Sequence, residues 1–223
     1  MTRHVVAFDL DDTLYTEMDY VRSGYRTVAN ALSEASGVDT RELFNLILAN
    51  RPLGFEAALE RIKGTPAQGM FTIESMVEMY RAHTPDIQLR PGAHETLEAL
   101  RRRGAGLVLI TDGSTRHQRA KIKALGLEEF FAPEAILISE ETGGDKTSIV
   151  PWQLTEERFG VPGTLFTYVG DNLSKDFLLP NMRGWQTVML RDCTSSNVFP
   201  QHPSAWPATN RPQLTIDNLS TLI

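Results

Sequence analysis

Four groupings of polar residues in this chain, three where a short apolar run ends and one beyond the third such run, have residue types that can do chemistry together. Asp9 and Asp11 follow Val5-Val6-Ala7-Phe8; Thr111-Asp112-Gly113 follows Leu107 to Ile110; Lys146 follows Gly143-Gly144-Asp145; and Gly170-Asp171, with Asp176 beyond it, follows Leu165 to Val169. Two carboxylates held together away from bulk water repel, so they favour a bound cation or one retained proton. Three or four are strongly unfavourable unless a cation joins them. A donor set made only of oxygen, with no histidine or thiol, favours Mg²⁺. Glycine after Thr111 and Asp112 lets the backbone bend and present N–H groups to an anion. Taken singly, each grouping reads equally well as a helix cap, a polar turn or a solvated helix start.

The elements that must position these groups follow from periodicity. Val5 to Phe8 reads as a strand buried on both faces, the central strand of a parallel sheet, with its acids at the carboxyl end where ligands bind in open α/β sheets. From Gly92 onward strands and helices alternate: a helix over 94–103, a strand over 105–110, a basic helix over 116–125, a strand over 135–138, a helix from about Thr147 to Phe159, a strand over 165–169, a helix from Lys175, and a strand over 186–190. That alternation predicts an α/β fold with a doubly wound parallel sheet. Between Tyr15 and Pro91 apolar residues recur only at helical spacing, over 21–32, 43–48, 55–62 and 70–80. The expected organisation is therefore an α/β core made of residues 1–15 and 92–223, with an all-helical insert over 16–91. Residues 192–212, with four prolines, read as a long surface loop, and Leu214-Thr215-Ile216 as a short edge strand.

The 223 residues are enough to bury a sizeable core, and 41% of them are hydrophobic. A formal charge of −6 argues against general affinity for nucleic acid or an anionic membrane. The single cysteine, Cys193, excludes an intrachain disulfide and reads as an inert thiol. Met1-Thr2-Arg3-His4 runs straight into the first strand with no signal-peptide pattern, and no apolar run approaches membrane-spanning length. The expectation is a cytoplasmic protein, a monomer or weak homodimer.

In order and spacing, Phe8-Asp9-Leu10-Asp11-Asp12-Thr13-Leu14, then Thr111-Asp112-Gly113, Lys146, and Gly170-Asp171 with Asp176, resemble the four signature motifs of the haloacid dehalogenase superfamily. The match runs over residues 4–190. The insert after the first strand resembles that family's alternative cap. The resemblance implies a phosphatase in which Asp9 is the nucleophile that forms an aspartyl-phosphate and Asp11 protonates the leaving oxygen and later activates water. It further implies that Thr111, with the Asp112-Gly113 turn, and Lys146 hold the phosphoryl oxygens. Asp9, the Asp11 carbonyl and Asp171 would bind Mg²⁺, with Asp176 orienting the water shell and Thr13 bracing the first loop. Asp112 and Thr147 stand where the family commonly has Asn and Pro.

Asp11 argues against a dehalogenase, which lacks that second acid. Lys63, the only lysine in the insert, is the sole candidate for a phosphonatase-type Schiff base. A phosphomutase on the same scaffold and a non-enzymatic phospho-accepting or binding module are the alternatives. The expected partner is a small phosphorylated molecule, of the sugar phosphate or nucleotide class. Within the insert, Arg51 and Phe55 are the candidate substrate contacts: Arg51 for a carboxylate or second phosphate, Phe55 for a ring. The competing reading makes Phe55 part of the insert's own core and leaves Arg51 facing solvent.

Overall fold

The computed structural model describes residues 4–161, 163–194 and 196–223. Met1 to Arg3, on which the signal-peptide reading partly rests, and Ser195 in the 192–212 loop lie outside the described residues. Strand β1 (His4–Phe8) is followed by α1 (Glu17–Ser36), α2 (Thr40–Ala49), α3 (Gly54–Arg61), α4 (Ile73–Ala82) and α5 (Ala93–Arg102). Then come β2 (Gly106–Thr111), α6 (Thr115–Ala124), β3 (Ile136–Ile138), α7 (Ser139–Thr142), α8 (Val150–Phe159), β4 (Leu165–Gly170), α9 (Leu178–Met182), β5 (Gln186–Leu190) and β6 (Leu214–Ile216). The strands form one six-stranded sheet in the order β3-β2-β1-β4-β5-β6, every pairing parallel. This is the doubly wound α/β architecture, and β6 is the edge strand that Leu214-Thr215-Ile216 suggested.

Strand β1 sits between β2 and β4, so both its edges are paired, and its side chains from Val5 to Phe8 are buried on both faces. Val5 and Ala7 enter a cluster with Val108, Ile110, Leu137, Trp152, Tyr168 and Trp185, and Val6 and Phe8, on the opposite pleat, are buried as well. The hydrogen bond from Asp9 N to Val169 O at 2.9 Å extends the β1–β4 ladder one residue past the strand. Asp9 is thereby fixed by backbone pairing as well as by its side chain.

Two compact units divide the chain: one runs through Met18 and resumes at Gln88 to Ile223, and the other is Asp19–Ile87. The second is held by Val28, Ala29, Leu32, Leu43, Ile47, Ala58 and Met76 from the apolar stripes of four helices, with Val38, Ile62 and Ala67 from the segments between them. Gly54 lets α3 start against α2, since a Cβ there would lie 2.2 Å from the Ile47 carbonyl oxygen. Among the described residues no helix is long and apolar enough to cross a membrane.

Three helices start later than the sequence reading, each because a side chain captures the backbone first. Helix α4 begins at Ile73 rather than Met70 because Thr72 and Ser75 form a reciprocal capping box. Helix α8 begins at Val150 rather than Thr147 because Asp145 Oδ1 accepts from Thr147 N at 3.0 Å and Thr147 Oγ1 at 2.7 Å. The helix expected from Lys175 begins only at Leu178, because Asp176 turns back and accepts the backbone N–H groups of Asp171 and Asn172.

Candidate active site

All four strand-end groupings lie at the carboxyl edge of the sheet. Asp9, Asp11, Asp12, Glu17, Thr111, Asp112, Asp171, Asn172, Lys175 and Phe199 line one cleft of about 100 Å³ within the α/β unit. Lys146 and Asp176 lie directly beneath it, both essentially inaccessible.

Asp9 leaves β1 with its two oxygens held differently. Oδ1 accepts from Lys146 Nζ, and Oδ2 accepts from Thr13 Oγ1 at 3.2 Å. Thr13 is wholly buried, and its N–H returns to Leu10 O at 3.3 Å, so it braces this loop from inside. Lys146 is 1% exposed and also donates to Asp176 Oδ1 at 2.9 Å. Burial alone would discharge it, but Asp176 and Asp9 outweigh that and hold its pKa well above the ordinary lysine range. The rest of the residue is fastened too: its N–H donates to Asp112 Oδ1 at 3.1 Å, and its carbonyl accepts Trp152 Nε1 at 3.1 Å.

Asp176 uses both carboxylate oxygens. Oδ1 takes Lys146 and the Tyr168 hydroxyl, and Oδ2 takes Asp171 N at 3.0 Å and Asn172 N at 2.8 Å. Gly170 makes this approach possible, because a Cβ there would lie 2.5 Å from Asp176 Oδ2. Asp171 Oδ2 accepts from Asn197 Nδ2 at 2.8 Å.

Asp9, Asp171 and Asp176 each offer a carboxylate oxygen, and the three atoms lie within 4.8 Å of one another. Burial pushes Asp9 up to about 6 against the pull of Lys146. Burial, and after it the charges of Asp9 and Asp176, raise Asp171 well above its ordinary value. One ammonium does not neutralise three buried carboxylates, so the donor set is an all-oxygen one short of positive charge. A hard divalent cation fits it.

Asp11 faces elsewhere. Its Oδ1 accepts from the Tyr15 hydroxyl and from Lys121 Nζ at 2.7 Å, and its Oδ2 from Gln118 Nε2 at 3.0 Å. Burial pushes its pKa up, yet Lys121 and these donors prevail and bring it below the ordinary value. Its neighbour Asp12 has a left-handed backbone, φ 56°, a conformation Asp tolerates when its side chain bonds locally. It does so: Oδ1 accepts Glu17 N at 2.9 Å and Oδ2 accepts Val198 N at 2.7 Å. Glu17, on the cleft wall, is raised to about 7 by burial and then by Asp11.

Thr111 is 1% exposed and accepts from Gln118 Nε2 at 2.8 Å. Gly113 has φ 140°, a bend open to glycine, but its N–H donates to Ser139 Oγ at 2.9 Å. That group is therefore engaged by protein and not offered to an anion, as the bend alone had suggested. Asp112 joins three other segments, through Lys146 N, through Lys175 Nζ at 3.0 Å and, by its carbonyl, through Gln118 Nε2 of α6 at 2.6 Å. Arg51 and Phe55 belong to the helical unit. Phe55 stacks edge-on with Tyr25 at 5.7 Å between ring centroids and packs on that unit's core, while Arg51 is exposed.

Several site residues escaped the sequence reading. Gln118 and Lys121 were subsumed in a basic helix. Their spacing of three places both on one helical face, and a lysine 6% exposed needs an anion. The 192–212 segment is not merely a surface loop: Asn197 reaches Asp171, Gln201 Nε2 donates to the Asp171 carbonyl at 2.9 Å, and Arg90 Nη2 joins Asn197 Oδ1 to the Asp12 carbonyl, each at 3.0 Å. No periodic signal marks these contacts.

A family model described as haloacid dehalogenase-like hydrolase matches residues 4–178. The glyceraldehyde 3-phosphate phosphatase of Methanopyrus kandleri is 29% identical over 225 residues, 95% of each chain. The ribulose-1,5-bisphosphate 5-phosphatase of Halopiger xanaduensis is 29% identical over 202 residues, covering 82% of this chain and 83% of that one. Among solved structures, a HAD-hydrolase from Bacillus subtilis described as bound to magnesium superposes with a TM-score of 0.60 at 20% identity, covering 100% of this chain and 97% of that one.

Proposed function

This chain belongs to the haloacid dehalogenase-like hydrolases, and from that premise we propose that it hydrolyses a small sugar phosphate through an aspartyl-phosphate on Asp9. The observation that carries the reading is the junction of Asp9 with Lys146: a carboxylate at the end of the central strand, held by a fully buried ammonium and facing a cleft lined by Thr111 and Asp171. Support for a sugar phosphate comes from the two relatives named above, one a triose phosphate phosphatase and the other a pentulose bisphosphate phosphatase.

In this reading the Asp9 carboxylate attacks phosphorus, with Thr13 and Lys146 keeping its oxygens aimed. Thr111 and Lys146 hold the phosphoryl oxygens, and Lys146 offsets their charge. Asp11 gives its proton to the departing ester oxygen and then takes one from the water that hydrolyses the aspartyl-phosphate. An arriving phosphoryl dianion raises the Asp11 pKa, which supplies the protonated form needed for the first step. Asp9, the Asp11 carbonyl and Asp171 would hold Mg²⁺. Asp176, whose oxygens already take Lys146, the Tyr168 hydroxyl and the N–H groups of Asp171 and Asn172, would hold Lys146 and the Asp171 turn in place beside it. Bound there, the ion supplies the charge neutralisation that lets an anionic nucleophile meet an anionic phosphoryl group. The helical unit Asp19–Ile87 acts as the cap that selects the leaving group, with Arg51 as its candidate contact.

The test is a screen of phosphorylated metabolites with Mg²⁺, reading phosphate release, with glyceraldehyde 3-phosphate and ribulose 1,5-bisphosphate among them. Turnover of a sugar phosphate that disappears in chelator supports the reading. Full activity in excess chelator contradicts the metal assignment, and no turnover of any monoester contradicts the activity.

A further inference from the structure

Helix α6 brings two buried polar side chains to the acid/base carboxylate, although neither belongs to a strand-end grouping. Gln118 is 2% exposed and Lys121 is 6% exposed. Together with Tyr15 they occupy both oxygens of Asp11. The Gln118 amide is unusually placed. Its Nε2 carries two hydrogens and faces three acceptors, Asp112 O at 2.6 Å, Thr111 Oγ1 at 2.8 Å and Asp11 Oδ2 at 3.0 Å. Its buried Oε1 has no hydrogen-bond partner among the described residues. Turning the amide over would set that oxygen against the Asp11 carboxylate and the Asp112 carbonyl, so the chemistry of the neighbours fixes its sense.

A fold that leaves a buried acceptor unsatisfied to keep a donor on these three atoms is holding them in register. Thr111 is the proposed phosphoryl binder and Asp11 the proposed proton donor, so one amide links the position of the phosphoryl group to that of the proton it needs. Lys121 fixes the other oxygen of the same carboxylate from one turn further along the helix. We propose that Gln118 and Lys121 are positioning residues for leaving-group protonation, acting through Asp11; this rests on the hydrolase reading above. In the step concerned, a bond forms between an Asp9 oxygen and phosphorus. The bond from phosphorus to the ester oxygen breaks with its electron pair on that oxygen, and the oxygen takes the Asp11 proton.

Dependence on the leaving group isolates this role. A 4-nitrophenolate departs without a proton, whereas an alkoxide does not. The parameter kcat/KM covers only the steps through the first irreversible one, so later hydrolysis of the aspartyl-phosphate does not mask the effect. The full-length protein with Mg²⁺ is assayed on 4-nitrophenyl phosphate, phenyl phosphate and glycerol 3-phosphate. Gln118→Leu and Lys121→Met are expected to lower kcat/KM for glycerol 3-phosphate about 10- to 100-fold more than for 4-nitrophenyl phosphate, within the range general acid catalysis spans. Lys121→Arg should recover part of that selective loss. In an Asp11→Asn background neither substitution should deepen the selective loss, because the group they act through is gone.

Turnover of 4-nitrophenyl phosphate shows that each variant is folded, and Gln118→Leu, which removes the amide and leaves an apolar side chain one carbon shorter up to its branch point, carries the test if Lys121→Met fails to fold. Equal losses on all three esters, or losses that add to that of Asp11→Asn, overturn the proposal while leaving the hydrolase reading intact. A wild-type protein that hydrolyses none of the three esters overturns both.

Discussion

Asp9 and Asp11 leave the same strand two residues apart, and the fold gives them opposite surroundings. Asp9 turns into a dry space beside Asp171 and Asp176, where burial carries its pKa up to about 6 despite Lys146. Asp11 turns toward α6, where burial acts in the same direction but is overcome by Lys121, Tyr15 and Gln118, and its pKa falls. Both lie past the end of β1 (His4–Phe8), where the chain turns at Leu10, whose carbonyl accepts Thr13 N and Leu14 N; the turn sends the two carboxylates to different partners, and the partners then assign the work. One site is poor in positive charge and suits a nucleophile that shares a cation. The other is rich in donors and suits a carboxyl whose orientation must be fixed while its proton comes and goes.

The largest effects should come from breaking the contrast outright. Asp9→Ala is expected to reduce turnover to background, since no other described carboxylate stands where Asp9 does; wild-type phosphatase activity in a carefully purified sample would refute the nucleophile assignment. Asp11→Asn should cost on the order of 10² to 10⁴ in rate while phosphate and Mg²⁺ still bind. Calorimetric titration of both ligands checks that separation, and loss of Mg²⁺ binding would show that the side chain, and not only the carbonyl, serves the metal.

A smaller effect sharpens the comparison through pH. The Asp9 value is raised from 3.8 to about 6, so its contribution to the stability of the metal-free protein is complete below 3.8 and is lost as pH rises through about 6. Asp11 has the opposite sign: its lowered pKa contributes stability above 3.8 that disappears as pH falls through its folded value. Mg²⁺ competes with the Asp9 proton. The rise in Tm on adding Mg²⁺ should therefore be greater at pH 7 than at pH 5, and an equal or reversed shift would contradict the Asp9 assignment. Smallest should be Asn197→Ala. It removes the amide that aims Asp171, and about a 10-fold loss of Mg²⁺ affinity is expected from the usual effect of such supporting contacts; an unchanged affinity would show that the backbone alone sets that carboxylate.

The same contrast explains what the sequence makes legible. Asp9, Thr111 and Asp171 could be picked out because each closes an apolar run, a signal contained in a few residues, and the parallel sheet followed from the same runs; Lys146, eight residues past Ile138, stood out only as one part of the four-motif resemblance. Gln118 and Lys121 lie on a helix carrying Arg116, Arg119 and Lys123 as well, and composition does not tell an inward lysine from an outward one. Asn197 and Gln201 reach Asp171 across 26 and 30 residues from a segment without period, so only the folded chain brings them there. The late start of α9 belongs to the same class, because a turn held by the Asp176 carboxylate looks, in sequence, like the first turn of a helix.

The most direct test is to trap the covalent species. The protein is mixed with the substrate identified by the screen and Mg²⁺, quenched in acid within one turnover, and its peptides are weighed by mass spectrometry. The account predicts one added phosphoryl group on the peptide containing Asp9, absent in Asp9→Ala and, with 4-nitrophenyl phosphate as the donor, accumulating in Asp11→Asn, where departure needs no proton but the water-activating base is lost. A phosphoryl group on any other residue, or steady turnover with no covalent phosphoprotein in the wild type and in Asp11→Asn, would contradict it.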